Sequence, residues 1–326
     1  MIHIIEYIYA DTFLEDSAFN DIYKLLSNNN IIIDIMLHTK LSGYFIHIEN
    51  NKYNIKKFNS ALFFKKSQFN KFIEQINRRK TNKIFVFGGH CNGLYCYSDK
   101  NIIDFSNIYK IFKKYNYHFD LIVFDACYTS SIEILYEFHD VTDYILAHQT
   151  YVGGEGFNSP NLSKVFDKNI PFNKKVLGIA KEYIKRSVNE KMHASISIID
   201  CKKFSKFLGL YKDNYNIINT KIIKEKRSNS NYTDLCTKEL CEGNDCSDTI
   251  CNNMLDLHKV LIIFGNKELY KILDNSITYM ENGIKLDKKY FSNIKLGGIN
   301  IIINPKIRID NFNKYYKKMR FNKFIN

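Results

Sequence analysis

The strongest structural signal in this chain lies in two short segments, Lys83-Ile-Phe-Val-Phe-Gly-Gly-His90 and Asp120-Leu-Ile-Val-Phe-Asp-Ala-Cys127. Each is a continuous apolar run, typical of a central parallel strand buried on both faces, and each ends at one reactive side chain. The carboxyl ends of adjacent parallel strands converge on one crevice of an open α/β sheet. His90 and Cys127, 37 positions apart in the chain, are therefore predicted to meet at one edge of the sheet.

A cysteine and a histidine in this arrangement predict a cysteine hydrolase. A thiolate is a strong nucleophile, and a neighbouring imidazole favours its formation and protonates a leaving group. Each residue also has a purely structural interpretation, because free cysteine is among the most buried residue types and a histidine at a strand end often satisfies a backbone group. The pair alone is a candidate, and its surroundings must support it.

Strand and helix patterns alternate along the chain, which predicts a parallel sheet with helices on both faces. The apolar strand candidates are residues 2–10, 31–38, 83–89, 121–125, 144–147 and 194–199. Amphipathic helix candidates lie between them at residues 14–26, 68–79, 108–115, 130–138 and 174–188. The predicted sheet is thus at least six strands wide.

The chain after Cys127 continues with a predicted helix, the strand Val141-Thr-Asp-Tyr-Ile-Leu-Ala-His148 and the Gly-rich loop Tyr151-Val-Gly-Gly-Glu-Gly-Phe-Asn158. An Asp-Ala-Cys at a strand end, followed in this order, resembles the clostripain-like cysteine peptidases of the caspase and gingipain superfamily. Weaker similarity to the family extends over residues 5–18, 195–200, 298–305 and 315–316. The resemblance implies an α/β fold, the caspase-like three-layer αβα sandwich with a mostly parallel central sheet of six or more strands.

The resemblance also implies a mechanism built on a Cys-His dyad. Cys127 would attack the peptide carbonyl, and His90 would protonate the departing amine and then activate the hydrolytic water. The backbone amides of Cys127 and Cys91 would hold the oxyanion. The family has glycine directly after the histidine, whereas this chain has Cys91, whose side chain is expected to crowd the site.

Substrate selection is expected to depend on Asp125, which shares a strand face with Cys127 because it lies two positions before it. By resemblance, this carboxylate lies at the bottom of the pocket for the residue before the cleaved bond and favours Arg or Lys. A helix cap is the structural alternative. His148 and Gln149 stand where the family commonly has Ser-Glu beside the pocket, and Glu155 belongs to the Gly-rich loop expected to form one cleft wall.

Length and composition are those of one folded enzyme. The chain has 326 residues, 45% of them apolar, enough for a full core. We expect a catalytic core over residues 1–220, an exposed insertion over 221–253 and helices and a strand packed on the core over 254–326, together forming a single domain. No run of 18 uncharged apolar residues occurs, and the start of the chain reads as a strand rather than a secretion signal. These features predict a cytoplasmic protein without membrane contact.

The predicted insertion carries Cys236, Cys241, Cys246 and Cys251, spaced by five. Structural zinc sites usually space their ligands two to four residues apart, and a disulfide needs an oxidising compartment, so reduced thiols, a metal site and disulfides all remain open. The formal charge is +13, from 47 Lys and Arg against 34 Asp and Glu. These basic residues are scattered in short clusters, which favours a solvated surface over a nucleic-acid site.

The sequence therefore predicts a monomeric cysteine endopeptidase that cleaves peptides and proteins after Arg or Lys. Self-processing is expected after Lys100 or within residues 224–227, two exposed-looking basic sites. No cofactor is required by the dyad, although some members of the family use calcium. Two alternatives remain: an inactive pseudo-peptidase that binds basic peptides, favoured by Cys91, and a basic nucleic-acid-binding protein in which Cys127 and His90 are incidental.

Overall fold

The structure, a computed structural model, describes residues 2–10, 16, 18–20, 31–39, 41–50, 52–59, 66–76, 82–91, 93, 96–98, 101–150, 152, 157, 165–166, 169–189, 195–228, 254–282, 296–302 and 316–325. Its strands, in chain order, are β1 (Ile2–Tyr9), β2 (Ile31–His38), β3 (Ser42–Glu49), β4 (Lys52–Asn59), β5 (Asn82–Gly88), β6 (His90–Cys91), β7 (Cys96–Ser98), β8 (Asn101–Ile103), β9 (Phe119–Asp125), β10 (Thr142–Ala147), β11 (Ser195–Asp200), β12 (Met254–Asp256), β13 (Ile277–Asn282) and β14 (Asn300–Ile302).

Nine of these strands form the central sheet, in the order β13-β11-β10-β9-β5-β1-β2-β3-β4. The five strands from β10 to β2 are parallel, and antiparallel pairs extend the sheet at both edges. The parallel strands are apolar along nearly their whole length because helices cover both of their faces. A three-stranded sheet of β6, β7 and β8 and a pair of β12 and β14 stand apart from it.

The described helices, in chain order, are α1 (Lys66–Gln75), α2 (Phe105–Lys114), α3 (Ile132–Phe138), α4 (Phe172–Asn189), α5 (Cys201–Ser228), α6 (Leu257–Ile263), α7 (Lys267–Ser276) and α8 (Arg320–Ile325). One face of the sheet packs against α1, α2, α3 and α5 in a core rich in phenylalanine. The opposite face packs against α4. The molecule is therefore a three-layer αβα sandwich, as predicted, and none of the helices described is long and apolar enough to cross a membrane.

All six predicted strands are present, and their limits agree to within one residue except at β9 and β10, which begin two residues earlier than expected. The antiparallel edge strands β3, β4 and β13 were not predicted. β4 is exposed along nearly all of its length, so its sequence has no buried face and no clear alternation of apolar and polar residues.

The predicted insertion over residues 221–253 begins too early. An irregular segment was predicted from Lys221 onward. This prediction is wrong for its first eight residues, because α5 continues to Ser228. The helix continues because Ile218 and Ile222, one turn apart, are both buried in the core. Residues 229–253, with all four regularly spaced cysteines, lie outside the described part of the chain, and the division into core, insertion and C-terminal part stays a prediction.

Candidate active site

The register of β5 and β9 brings the two predicted catalytic residues to the same end of neighbouring strands. Gly88 pairs with Asp125 in this parallel ladder, and the backbone N–H of Gly89 donates to the carbonyl of Asp125 at 3.4 Å. His90 and Cys127 each follow this pair by two residues. Both positions therefore follow the carboxyl edge of the central sheet, where adjacent parallel strands form a crevice.

Two glycines shape the backbone around His90. Gly89 has a φ of +147°, and a Cβ there would lie 3.0 Å from the carbonyl oxygen of Tyr9, so a larger residue would be strained. The carbonyl of Gly93 accepts a hydrogen bond from Ser131 at 2.8 Å, which ties this segment to the chain after Cys127. Between them, Cys91 is 5% exposed and belongs to the phenylalanine-rich core. Its thiol nevertheless lies close enough to Cys127 to contribute to the raised pKa of that residue.

The chain turns sharply after the candidate nucleophile. Tyr128 has a φ of +58°, a conformation that non-glycine residues rarely adopt and that costs about 1 kcal/mol or more. Hydrogen bonds hold the turn: Tyr128 N–H donates to Thr150 at 3.0 Å, and the Thr129 hydroxyl donates to Ala126 at 3.1 Å. A strained, well-held turn fixes the direction of the Cys127 side chain.

The Cys127 sulfur is hydrogen-bonded to both backbone polar groups of Val152. Val152 N–H donates to Sγ at 3.4 Å, and the thiol donates to the Val152 carbonyl at 3.8 Å. Burial raises the pKa of the Cys127 thiol to about 12, and the hydrogen bond from Val152 only partly offsets it. In this arrangement the sulfur is a protonated thiol, which is a poor nucleophile.

This state of the thiol predicts how Cys127 is alkylated in the free protein. Because the pKa is near 12, the rate of modification by iodoacetamide should rise about tenfold per pH unit from about pH 6 to 10 without levelling off. Mass spectrometry of the Cys127 peptide at each pH measures this. An unstructured peptide of the same sequence is the control, and its rate should level off above about pH 8.5. An alkylation rate that levels off near pH 8 in the folded protein would contradict a buried thiol hydrogen-bonded to Val152.

Asp125 is held by two donors on the face of the sheet that α4 covers. The Tyr183 hydroxyl donates to Oδ1 at 2.9 Å, and the backbone N–H of Phe157 donates to Oδ2. Burial, followed by the charge of Asp125, raises the pKa of Tyr183 well above its usual value, so the phenol keeps its proton and remains a donor. The helix-cap alternative for Asp125 is not observed, because α3 is capped by Ser131 instead.

His148 lies in the same region and is completely buried. Its Nδ1 is 2.6 Å from the carbonyl oxygen of Ser195, and its ring packs on Tyr183 with centroids 5.0 Å apart. Burial lowers the pKa of His148 to about 4, so the ring is neutral near pH 7. Sequence reasoning identified His148 but not Tyr183, which reads only as one more residue on the buried face of a predicted helix.

Gln149 has a structural role instead of the predicted contact with substrate. It is 1% exposed, its Nε2 donates to Asp256 and Asn300, and its Oε1 accepts from Gly298 N–H at 2.7 Å. A side-chain amide with these partners has little capacity left for a ligand. Glu155, the other predicted wall residue, lies outside the described residues.

Across the described ranges, no set of three or more His, Cys, Asp or Glu side chains is arranged to hold a metal ion.

Comparison with solved structures identifies similar folds. A secreted C11 cysteine protease from Bacteroides thetaiotaomicron, bound to an irreversible peptide inhibitor, matches with a TM-score of 0.73 at 16% identity, covering 100% of this chain and 98% of that one. An inactive zymogen C11 protease from Parabacteroides distasonis matches with a TM-score of 0.73 at 17% identity, covering 99% of this chain and 97% of that one. At such identities the likeness shows the fold.

Family membership rests on the sequence profile. No curated protein sequence gives a significant match. The profile of the clostripain family, however, matches residues 7–325, nearly the whole chain, and so spans both candidate catalytic strands. The match agrees with the αβα sandwich and with a cysteine, Cys127, two residues after the end of β9. The chain therefore belongs to the clostripain family of cysteine peptidases.

Proposed function

We propose that this protein is an endopeptidase that cleaves after Arg or Lys through Cys127 and His90. The observation that carries the proposal is the register of β5 and β9, which aligns the positions of the two residues at one strand edge. Cys127 attacks the peptide carbonyl, His90 protonates the leaving amine, and water activated by His90 then releases the acyl group. The backbone amides of Cys127 and Cys91 are the proposed oxyanion donors.

The proposed preference for basic residues rests on Asp125. It lies on the same strand face as Cys127 and is half-buried, and an anion withdrawn from water is costly unless it is paired. Two of the groups that donate to it, the Tyr183 hydroxyl and the Phe157 backbone N–H, are uncharged. A guanidinium or ammonium group is a stronger partner for a carboxylate than a backbone N–H, so a basic side chain can displace Phe157.

Catalysis also requires the Cys127 sulfur to be released from Val152. A thiol with a pKa near 12 supplies almost no thiolate at neutral pH. Moving the Val152 backbone away would hydrate the sulfur and lower its pKa toward the usual value for a thiol, where His90 can take up its proton. The arrangement described here is accordingly a resting state in the proposed cycle.

A panel of fluorogenic peptides tests the function. Purified protein is incubated with peptides ending in Arg, Lys, Asp or Asn before the reporter. Signal with Arg and Lys only supports the proposal, and signal with Asp or Asn only would overturn the assigned specificity. Silence with all four, combined with binding of an Arg-containing aldehyde, would instead support a pseudo-peptidase that binds basic peptides.

The pseudo-peptidase remains the second candidate because the Cys127 thiol is held protonated. The other feature that favoured it is Cys91, whose thiol lies near enough to Cys127 to contribute to the raised pKa of that residue. Peptide hydrolysis that disappears on alkylation of Cys127 would exclude this candidate.

Self-processing is the next part of the proposal. Lys100 lies between β7 and β8 and just outside the described residues, whereas Lys224 lies within α5. A peptide bond must become extended to enter a protease cleft, so a cut within residues 224–227 requires the end of α5 to unwind. We therefore expect the cut after Lys100.

Mass spectrometry of the protein stored with and without calcium measures this cleavage. The Cys127→Ala protein is the control, and it should stay intact under both conditions. Wild type that stays intact while it cleaves added peptides, or a control protein cut at the same bond, would contradict self-processing. A cut that forms only with calcium would show that this member, like some others of the family, uses calcium.

A further inference from the structure

His148 stands level with Asp125 on the neighbouring strand. Leu146 of β10 pairs with Val123 of β9 in a parallel register, so the residues two positions further on are also neighbours. Alternate residues of a strand share a face, and Leu146 and Val123 both belong to the core on the α4 side. Asp125 and His148 therefore face the same side of the sheet.

The hydrogen bond to Ser195 determines the tautomer of His148. A backbone carbonyl oxygen can only accept, so Nδ1, 2.6 Å from it, carries the proton. The ring is neutral near pH 7, since burial lowers its pKa to about 4. Nε2 then has a free lone pair and no proton, which makes it an acceptor.

This acceptor is buried and has no hydrogen-bond partner within the part of the chain that the structure describes. Tyr183 packs on the ring, but its single hydroxyl proton is already donated to Asp125. An unpaired buried acceptor is costly and unusual in a folded protein. Such a nitrogen can accept a hydrogen bond from a bound ligand that carries an N–H or O–H group.

The direction of Nε2 follows from the strand order. The two imidazole nitrogens point in divergent directions, and Nδ1 faces β11, on one side of β10. Nε2 therefore faces away from β11, and the strand on the other side of β10 is β9, which carries Asp125. A cationic side chain bound to Asp125 would bring its remaining N–H groups to this side of His148.

We propose that Nε2 of His148 accepts an N–H from the arginine side chain bound by Asp125, which makes His148 a residue that selects Arg over Lys. This inference rests on the proposed peptidase function. Arginine carries five N–H donors on a rigid planar fork, so one edge can pair with a carboxylate while another N–H reaches a second acceptor. The lysine ammonium is a compact point charge and spans two separated acceptors less well.

Two substitutions separate recognition from structure. Asparagine places its amide N–H near the position of Nδ1, so His148→Asn keeps a donor for the Ser195 carbonyl but removes the acceptor. Glutamine is one methylene longer and carries an oxygen acceptor to the position of Nε2. We measure kcat and KM for peptides with Arg or Lys before the cleaved bond, and the melting temperature of each protein.

Wild type is expected to prefer Arg. His148→Asn should lower kcat/KM for Arg by about tenfold or more, the effect of one hydrogen bond to a charged group, and for Lys much less. His148→Gln should restore most of the Arg preference. Equal losses for Arg and Lys in His148→Asn, or no restoration by His148→Gln, would overturn the inference while leaving the peptidase intact. Wild type that cleaves neither peptide overturns the proposed function, and this inference with it.

Discussion

Replacing Cys127 with alanine is expected to reduce hydrolysis of Arg and Lys peptides to the background rate, a loss on the order of 10⁴ or more. In the proposed mechanism the reaction proceeds through a covalent acyl group on the Cys127 sulfur, which an alanine cannot form. His90→Ala should lose activity by a similar factor, because the leaving amine then has no proton donor. The rates of the purified variants with the fluorogenic Arg peptide measure both effects.

A matched control for the histidine substitution is His118→Ala. His118 is exposed, pairs with Asp143 and lies at the start of β9, at the opposite edge of the sheet from Cys127. It should retain full activity. The melting temperatures of the Cys127 and His90 variants should stay within a few degrees of wild type, since neither side chain is a large part of the core. Activity remaining in Cys127→Ala would show that another group is the nucleophile.

Asp125→Asn is expected to lower kcat/KM for Arg and Lys peptides by about 10²-fold, through loss of a charged, poorly solvated pair. The substitution also affects the resting structure. An asparagine side chain has one oxygen, so it cannot accept from both Tyr183 and Phe157 with separate atoms as the aspartate does. Some loss of stability is therefore expected together with the loss of specificity.

The melting temperature and kcat/KM measured well below it separate these two effects. A general loss of stability lowers the melting temperature, whereas loss of the charge lowers kcat/KM for Arg and Lys peptides even where the protein is fully folded. Asp143→Asn is the matched control, because Asp143 is an exposed aspartate at the start of β10, the neighbouring strand. An unchanged preference in Asp125→Asn would show that another acidic residue sets specificity.

The central strands could be predicted because burial on both faces leaves a direct mark on the sequence. β1, β2, β5 and β9 are apolar almost throughout, and no exposed face interrupts the run. The strands at the edges of the sheet have a weaker sequence pattern. β4 is exposed and β13 is only partly buried, so their residues are selected little by packing, and their pairing depends on contacts with strands elsewhere in the chain.

The end of α5 shows that the limits of a helix are also hard to predict where few of its residues are buried. Its last turns are rich in charged residues, and the sequence there has no obvious helical period. Two isoleucines, Ile218 and Ile222, keep it on the core. Which apolar residues of such a segment are buried depends on what packs against them, and that partner is distant in sequence.

The candidate catalytic residues could be predicted from their place at strand ends, but the residues that surround them could not. Tyr183 reaches Asp125 across 58 positions of the chain, and Gln149 is held by Asp256 and Asn300, more than 100 positions away. Local sequence carries no signal for such contacts. Gln149 was therefore assigned to the pocket, although the tertiary structure uses its amide to join β10 to the C-terminal part of the chain.

By itself, the sequence determined the αβα architecture, the parallel centre of the sheet and the position of the candidate residues His90 and Cys127 at its carboxyl edge. Each of these depends on local periodicity and on where an apolar run ends. Only the tertiary structure decided that the Cys127 sulfur is hydrogen-bonded to Val152 and that Asp125 accepts hydrogen bonds from Tyr183 and Phe157. It also decided that His148 is neutral, because burial lowers its pKa to about 4. Burial and long-range hydrogen bonds set these states, and both exist only after distant segments have packed together.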